Sequence, residues 1–347
     1  MKIALLAPFE ESVPPQKYGG TELVIYNLAE NLVKKGHQVR LFSTGDSRTS
    51  AKLEAIFPKS IRTIKKFEDV KLREVYKYVG IGKVLKKLSE EKFDIIHNHI
   101  GWRILIFSKL LRQPMVTTLH GPMDIYYQQE IFKMYNKANL ISISLSQRKP
   151  MPRLNYAANV YNGIEMKIFP FSDKPKDYFA FLARMSPEKG PVEAVKIAKK
   201  AGVKLIMAAK VDASDKDYFE SRVKPLIDGK QIKFIGEVDH KKKVELLKNS
   251  RGLIAPIQWE EPFGLFFVEA MACGAPVIAM RRGSVPEIII DRKTGFICHS
   301  VDEAARRVKE IDKIDRRICR EHVEKNFSAE KMTEGYLNVY KKVIKSK

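Results

Sequence analysis

The stretch GLIAPIQWEEPFGLFFVEAMACGAPVIAM, residues 252–280, decides how the chain is built. It opens on a short β-rich run, Gly252–Pro256, and passes through a loop. Pro262 and Gly264 then open an apolar helix, and a second β-rich run, Pro276–Ala279, follows. Strand, helix and strand in such short succession are the unit of a parallel sheet covered by helices. The apolar run from Gly264 to Met280 holds 17 residues, with Glu269 in its middle. A membrane-spanning helix needs about 20 residues and disfavours a central carboxylate. The segment is therefore read as a protein core, and Glu269 in it needs a hydrogen-bond donor.

The same alternation extends in both directions. The first half offers strands at Lys2–Ala7, Gln38–Ser43, Asp94–His97, Met115–Leu119, Leu140–Ser144 and Asn159–Tyr161. The second offers Tyr178–Ala183, Lys204–Ala208, Ile232–Ile235, Gly252–Pro256, Pro276–Ala279 and Gly295–Cys298. Six and six, with helical patterns between most of them, predict two doubly wound α/β domains. The seam falls in Ile164–Asp177, IEMKIFPFSDKPKD, which has two prolines and neither period. In Ser328–Lys345, Met332, Tyr336, Val339, Tyr340 and Val343 recur at helical spacing, as expected of a closing helix that returns to the first domain. The division is thus 1–163 with about 331–347, and 164–330.

A chain of 347 residues suits about two domains at roughly 100–200 residues each. With 44% apolar and 30% charged residues it is neither disordered nor embedded in a membrane. Lys plus Arg number 63 against 41 Asp plus Glu, a net charge of +22 that favours anionic partners without choosing among them. Three cysteines, Cys273, Cys298 and Cys319, with no C-x-x-C, fit a reducing compartment and no zinc site. The N-terminus reads as a first strand, with no signal-peptide cleavage site, so a cytoplasmic location is expected. Lys59–Lys92 carries eleven Lys or Arg against five acids. It reads as a solvated helical face; peripheral contact with an anionic membrane at its inner face stays open.

Four clusters carry candidate chemistry. Free amides at Leu265 and Phe266, beside Gly264, form with the helix dipole an anion site, and Glu261 and Glu269 flank it. Arg184 stands at the carboxyl end of a strand, with Lys189 five residues on; ligands of open α/β sheets sit at such ends. The plain alternative is that Glu269 pairs with a structural Arg, that Glu261 is a surface residue, and that Arg184 or Lys189 pairs with a surface acid such as Glu188. Gly19–Gly20, in Tyr18–Glu22, permit close backbone approach to a ligand, though no G-x-G-x-x-G is present. His97, His99 and His120 lie at strand ends; His97 reads as structural, His120 as a ligand contact, and no metal set is visible. Ser284 and Glu287 read as a capping box rather than catalysis.

Together these segments resemble the retaining glycosyltransferases of family 4. Glu261 to Glu269 matches the family's E-x7-E element, and Arg184 to Lys189 in ARMSPEKG its Arg-x4-Lys element. Gly19–Gly20 matches its glycine loop, His120 its histidine after a first-domain strand, and Asn162–Ile164 its domain-closing Asn-Gly-Ile. The resemblance implies the GT-B fold, two Rossmann-like domains facing across a cleft. It also implies a nucleotide-sugar donor and a small-molecule, glycan or lipid acceptor, with no cofactor, no metal and no nucleic acid. Arg184 and Lys189 would hold the diphosphate, the Leu265 and Phe266 amides a phosphate, and Glu269 the ribose hydroxyls. Glu261 and His120 would contact the sugar, Gly20 the distal phosphate, and the base would lie near Phe234–Glu237. RRGSVPEI and the opening APFEESVPPQKYGGTE are similar to a subgroup labelled as glucosyltransferases acting on a pterin. Arg282–Gly283–Ser284 departs from the Gly-Gly that many members carry there.

The expected reaction is retaining, metal-independent hexosyl transfer from a UDP- or GDP-linked sugar. A nucleotide-sugar epimerase on the same scaffold is an alternative. A basic nucleic-acid-binding protein is another, since Phe67, Tyr76, Tyr78 and Phe93 interleave with the basic run.

Overall fold

Two all-parallel sheets organise the computed structural model, which describes residues 1–16 and 19–346. The first runs β3-β2-β1-β4-β5-β6-β7 and the second β10-β9-β8-β11-β12-β13. The first sheet's strands are β1 (Lys2–Leu6), β2 (Gln38–Thr44), β3 (Lys52–Phe57), β4 (Ile95–Asn98), β5 (Met115–Thr118), β6 (Asn139–Ser142) and β7 (Tyr156–Asn159). The second sheet's are β8 (Phe179–Arg184), β9 (Leu205–Lys210), β10 (Ile232–Phe234), β11 (Leu253–Ala255), β12 (Val277–Met280) and β13 (Gly295–Cys298). The chain divides into two compact units, Met1–Gly163 with Ala329–Lys347, and Ile164–Ser328.

Both sheets reverse strand order once, at β1/β4 and at β8/β11. Such a switch point leaves a crevice beyond the carboxyl ends of the two strands, where ligands of open α/β folds bind. β4 and β12 are buried at every residue, as strands covered on both faces require.

In the first unit, the helix Val70–Glu90 lays Ile81, Val84 and Leu88 over Phe9, Phe42, Phe57 and Phe67. The last helix, Ala329–Lys345, packs beside Gly20–Lys34 and against β5 and β7. Met332, Tyr336, Val339, Tyr340 and Val343 are all buried on it. In the second unit, Leu265–Ala272 is buried from Phe267 onward and packs against Arg316–Asn326. Arg320 donates to the Ala272 carbonyl at 2.9 Å, a cation on the negative end of that helix.

Four expectations need correction. β3 was not anticipated: it is an edge strand burying only its last two residues, so its alternation is weak. The seventh strand is Tyr156–Asn159 rather than Asn159–Tyr161; the Val160 amide still donates to Ser142, and the ladder ends there. Ser284 caps nothing with its side chain; its hydroxyl donates to the Phe263 carbonyl at 2.8 Å. The aromatics that kept a nucleic-acid reading open mostly line the core. Phe67 and Phe93 are buried, Tyr76 packs against the same cluster, and Tyr78 alone of the four is exposed. A stacking platform needs accessible ring faces. No helix of the described residues is long and apolar enough to cross a membrane.

Candidate active site

The second unit's switch point gathers most of the expected residues. Arg184 ends β8, and a short turn carries Lys189 to Gly190. Gly190 has φ +70°, and a Cβ there would stand 2.1 Å from the Pro256 carbonyl oxygen, so only glycine lets this turn meet the end of β11. The Gln258 amide donates to the Glu188 carbonyl across the same seam, at 2.8 Å. Gly264, at φ +79°, opens the apolar helix with its Cβ position 2.4 Å from the Phe267 ring. At that helix start the Leu265 and Phe266 amides have no intrahelical acceptor.

Lys189 Nζ donates to Glu261 Oε2 at 2.5 Å, and Trp259 Nε1 donates to the same oxygen at 3.0 Å. The lysine and carboxylate side chains are only 8% and 10% exposed. The ammonium also lies over the Trp259 and Phe266 rings, 4.7 and 5.6 Å from their centroids. Around them the loop is pinned. Glu260 Oε2 accepts the Gly283 amide at 2.8 Å, and the Glu261 carbonyl accepts the Ser284 amide at 2.9 Å.

Glu269 is buried, and its Oε1 accepts from Lys243 Nζ at 2.5 Å. A carboxylate has about four acceptor positions, so one lysine leaves room for further donors. Lys243 was not singled out in the sequence. It is one of several lysines in HKKKVELLK, and nothing in that run marks which one turns inward. Arg184 and Lys189 face different acids. Arg184 Nη2 donates to Glu188 Oε1 at 2.5 Å, while its Nη1 lies 3.5 Å from Asp212 and Asp215. The pairing of Arg184 with Glu188 is the plain alternative weighed above. Burial works to raise Asp212, yet Lys210 and Arg184 hold its carboxyl below the usual range; burial raises Asp215. The expected base contact, Phe234–Glu237, turns at Gly236 with φ +73°.

The first unit's switch point holds the glycine loop and the histidines. Gly19 precedes the helix Gly20–Lys34, and a Cβ on it would stand 2.6 Å from Pro15 Cβ. Tyr18 lies outside the described residues. His97 is fully buried and satisfied, Nδ1 by the Tyr340 hydroxyl at 2.6 Å and Nε2 by Thr118 Oγ1 at 2.7 Å. His99 and His120 meet directly, Nδ1 to Nε2 at 2.8 Å. Burial lowers all three imidazoles, His120 to about 4, so they are neutral near pH 7. Glu22, on the first turn after the glycines, is buried; chiefly for that reason its carboxyl is pushed up to about 7, with Glu10 and Glu11 adding to the effect. It too escaped the sequence reading, since a helix's first acid ordinarily signals only dipole compensation.

With this geometry in view, the comparisons define the chain's class. Residues 18–157 match Glycosyltransferase Family 4, and residues 165–326 match glycosyl transferases group 1. The chain is a glycosyltransferase. More particularly, it joins a family 4 domain to a group 1 domain, an arrangement of GT-B type. It is 24% identical to spore coat protein SA of Bacillus subtilis (strain 168), over 99% of this chain and 100% of that one. It is 25% identical to the N-acetyl-alpha-D-glucosaminyl L-malate synthase of Bacillus anthracis, over 94% and 95%. The structure of AviGT4, a glycosyltransferase involved in avilamycin A biosynthesis, superposes with a TM-score of 0.76 at 21% identity, covering 100% of this chain and 98% of that one. HepE of Anabaena in complex with UDP and glucose gives a TM-score of 0.75 at 18% identity, covering 98% and 99%. The two structural likenesses speak to the fold.

Two predictions follow from the charges. Breaking the buried pair with Lys189→Met strands Glu261 and lowers the unfolding free energy by about 3 kcal/mol or more, measured by urea denaturation; adding Glu261→Leu restores part of the loss. Glu22 binds its proton more tightly folded than unfolded. Its contribution is therefore present below about pH 4.5 and is lost as pH rises through about 7. Glu22→Gln should gain stability relative to the parent as pH rises across that window, seen as diverging melting temperatures.

Proposed function

We propose that the protein transfers a hexose from a UDP- or GDP-linked sugar to a hydroxyl acceptor, with retention and without a metal ion. The observation that carries this reading is the convergence at β8/β11: a lysine–glutamate pair beside a helix start with free amides, and a second buried acid one turn along that helix. Cleaving the bond from the anomeric carbon to a phosphate oxygen leaves negative charge on the diphosphate while the sugar becomes oxocarbenium-like. Fixed positive charge at the leaving group lowers that barrier. Two unit charges at 4 Å interact by about 4 kcal/mol at an effective dielectric near 20; the acids already facing Lys189 and Arg184 make that figure a ceiling for each cation. To reach the phosphates, Arg184 exchanges one of its present acids for them.

The remaining roles follow the resemblance. Leu265 and Phe266 amides take a phosphate, Glu269 takes ribose hydroxyls beside its Lys243 partner, and Gly20 lies near the distal phosphate. Glu261 and His120 contact the transferred sugar. Lys189 and Trp259 both occupy Oε2 of Glu261 and leave Oε1 to the sugar; the front-face route is preferred over the two-step glycosidase pathway on the family resemblance. In that route the acceptor oxygen bonds to the anomeric carbon as the phosphate departs, and the acceptor proton passes to the leaving phosphate oxygen.

The B. anthracis relative is named for joining an N-acetylglucosaminyl group to L-malate. Malate and a pterin, the latter from the subgroup resemblance, are therefore the first acceptors to try. The test is a thermal-shift screen of UDP-, GDP- and ADP-sugars, then proton NMR of the product formed in EDTA. One donor series should raise the melting temperature, since a ligand at a hundredfold excess over its Kd stabilises by about 2.7 kcal/mol. The product should keep the donor's anomeric configuration. No shift with any donor and no transfer would sink the reading; an inverted product or a requirement for metal would overturn those parts of it.

A further inference from the structure

The two histidines that meet beyond β4 and β5 constrain each other's protons. His99 Nδ1 and His120 Nε2 are 2.8 Å apart, and the rings stack with centroids 5.1 Å apart. Such a contact between neutral imidazoles requires one proton, on one side or the other. The far nitrogen of His99 decides which. His99 is 3% exposed, and its Nε2 is buried with no hydrogen-bond partner. The neighbouring His97 ring, 3.9 Å away, has both nitrogens engaged by Tyr340 and Thr118 and offers it nothing. A buried N–H without an acceptor is rarer and costlier than a buried lone pair without a donor. The proton of His99 therefore belongs on Nδ1, where it donates to His120 Nε2. His120, neutral and accepting at Nε2, then carries its own proton on Nδ1.

We propose that His99 is a positioning residue that holds His120 in the Nδ1–H tautomer, so that His120 meets the substrate as a hydrogen-bond donor and not as a base. This rests on the reading of His120 as a sugar contact. It sharpens that reading: His120 donates to a sugar oxygen and takes no proton from the acceptor, consistent with a leaving phosphate that does. Burial, which keeps both rings neutral near pH 7, supports the same arrangement. Asn162, in the same unit, also has a buried side-chain oxygen without a partner, but it stands alone, whereas His99 has a defined neighbour to act on.

The direct test is a long-range 1H–15N correlation spectrum of the full-length chain with 15N-labelled histidine, near neutral pH. Seven histidines make the ring signals tractable, with single substitutions for assignment. The expected result is a protonated Nδ1 and a bare Nε2 on both His99 and His120. A protonated Nε2 on His120 in the unsubstituted protein overturns the proposal without any variant having to fold. In His99→Phe nothing donates to His120 Nε2, so the Nδ1–H tautomer should lose its hold and signals of both tautomers should appear. In His99→Asn, whose amide places a donor near the Nδ1 position, the His120 proton should stay on Nδ1. In the transfer assay, His99→Phe should lower kcat by up to about a hundredfold with little change in donor KM, and His99→Asn should recover most of it. Equal losses in both variants would count against positioning through the tautomer. If the spectrum gives the expected tautomer but no nucleotide sugar is turned over, the transfer reading fails and the histidine pairing stands.

Discussion

A lysine and a glutamate taken out of water together, Lys189 and Glu261, set the conditions for everything else in the second unit. A buried ion pair is tolerated only when its geometry is good and the remaining polar atoms are satisfied. The chain meets that demand locally: the Trp259 N–H shares the carboxylate oxygen, two aromatic faces cover the ammonium, and Gly283 and Ser284 amides hold the loop's own acceptors. The bonds that satisfy the buried charges also tie the loop between β11 and the apolar helix from several sides. That loop leads directly into the helix start at Leu265 and Phe266.

The same topological device is used twice. In each sheet the strand order turns back beside the first strand, and the loops that follow the two central strands bring together polar side chains from distant parts of the sequence. In the second unit this brings cations, acids and a helix start into one place; in the first it brings the glycine loop and the histidines. The histidine end is braced from behind by the last helix, whose Tyr340 hydroxyl bonds His97. The end of the chain thereby takes part in shaping the first unit's strand ends.

Much of this was legible in the amino-acid order, because burial on both faces makes central strands such as β1 and β12 near-continuous apolar runs. β3 was not, since an edge strand need bury only part of one face, and KLEAIF hides its last two residues behind charged ones. The acid pair, the cation pair and the helix start were visible through spacing and through the improbability of a carboxylate in an apolar helix. Their partners were not. Lys243 sits among identical neighbours, Asp212 and Asp215 come from a loop after β9, and Trp259 is an ordinary aromatic until its N–H is seen to point at Glu261. His99 and His120 could be marked singly as strand-end residues, but their bond depends on the register of β4 beside β5, which sequence does not print.

The central claim is that side-chain cations and a helix start hold the diphosphate of the donor. Calorimetric titration of UDP and GDP, each beside its parent nucleoside, into the unsubstituted chain and into Lys189→Met tests it most directly, at a temperature where both are folded. The account predicts that the substitution weakens the favoured diphosphate by about tenfold or more while leaving nucleoside binding unchanged, the loss of one charge-assisted hydrogen bond. Equal diphosphate affinity in the two proteins would contradict it.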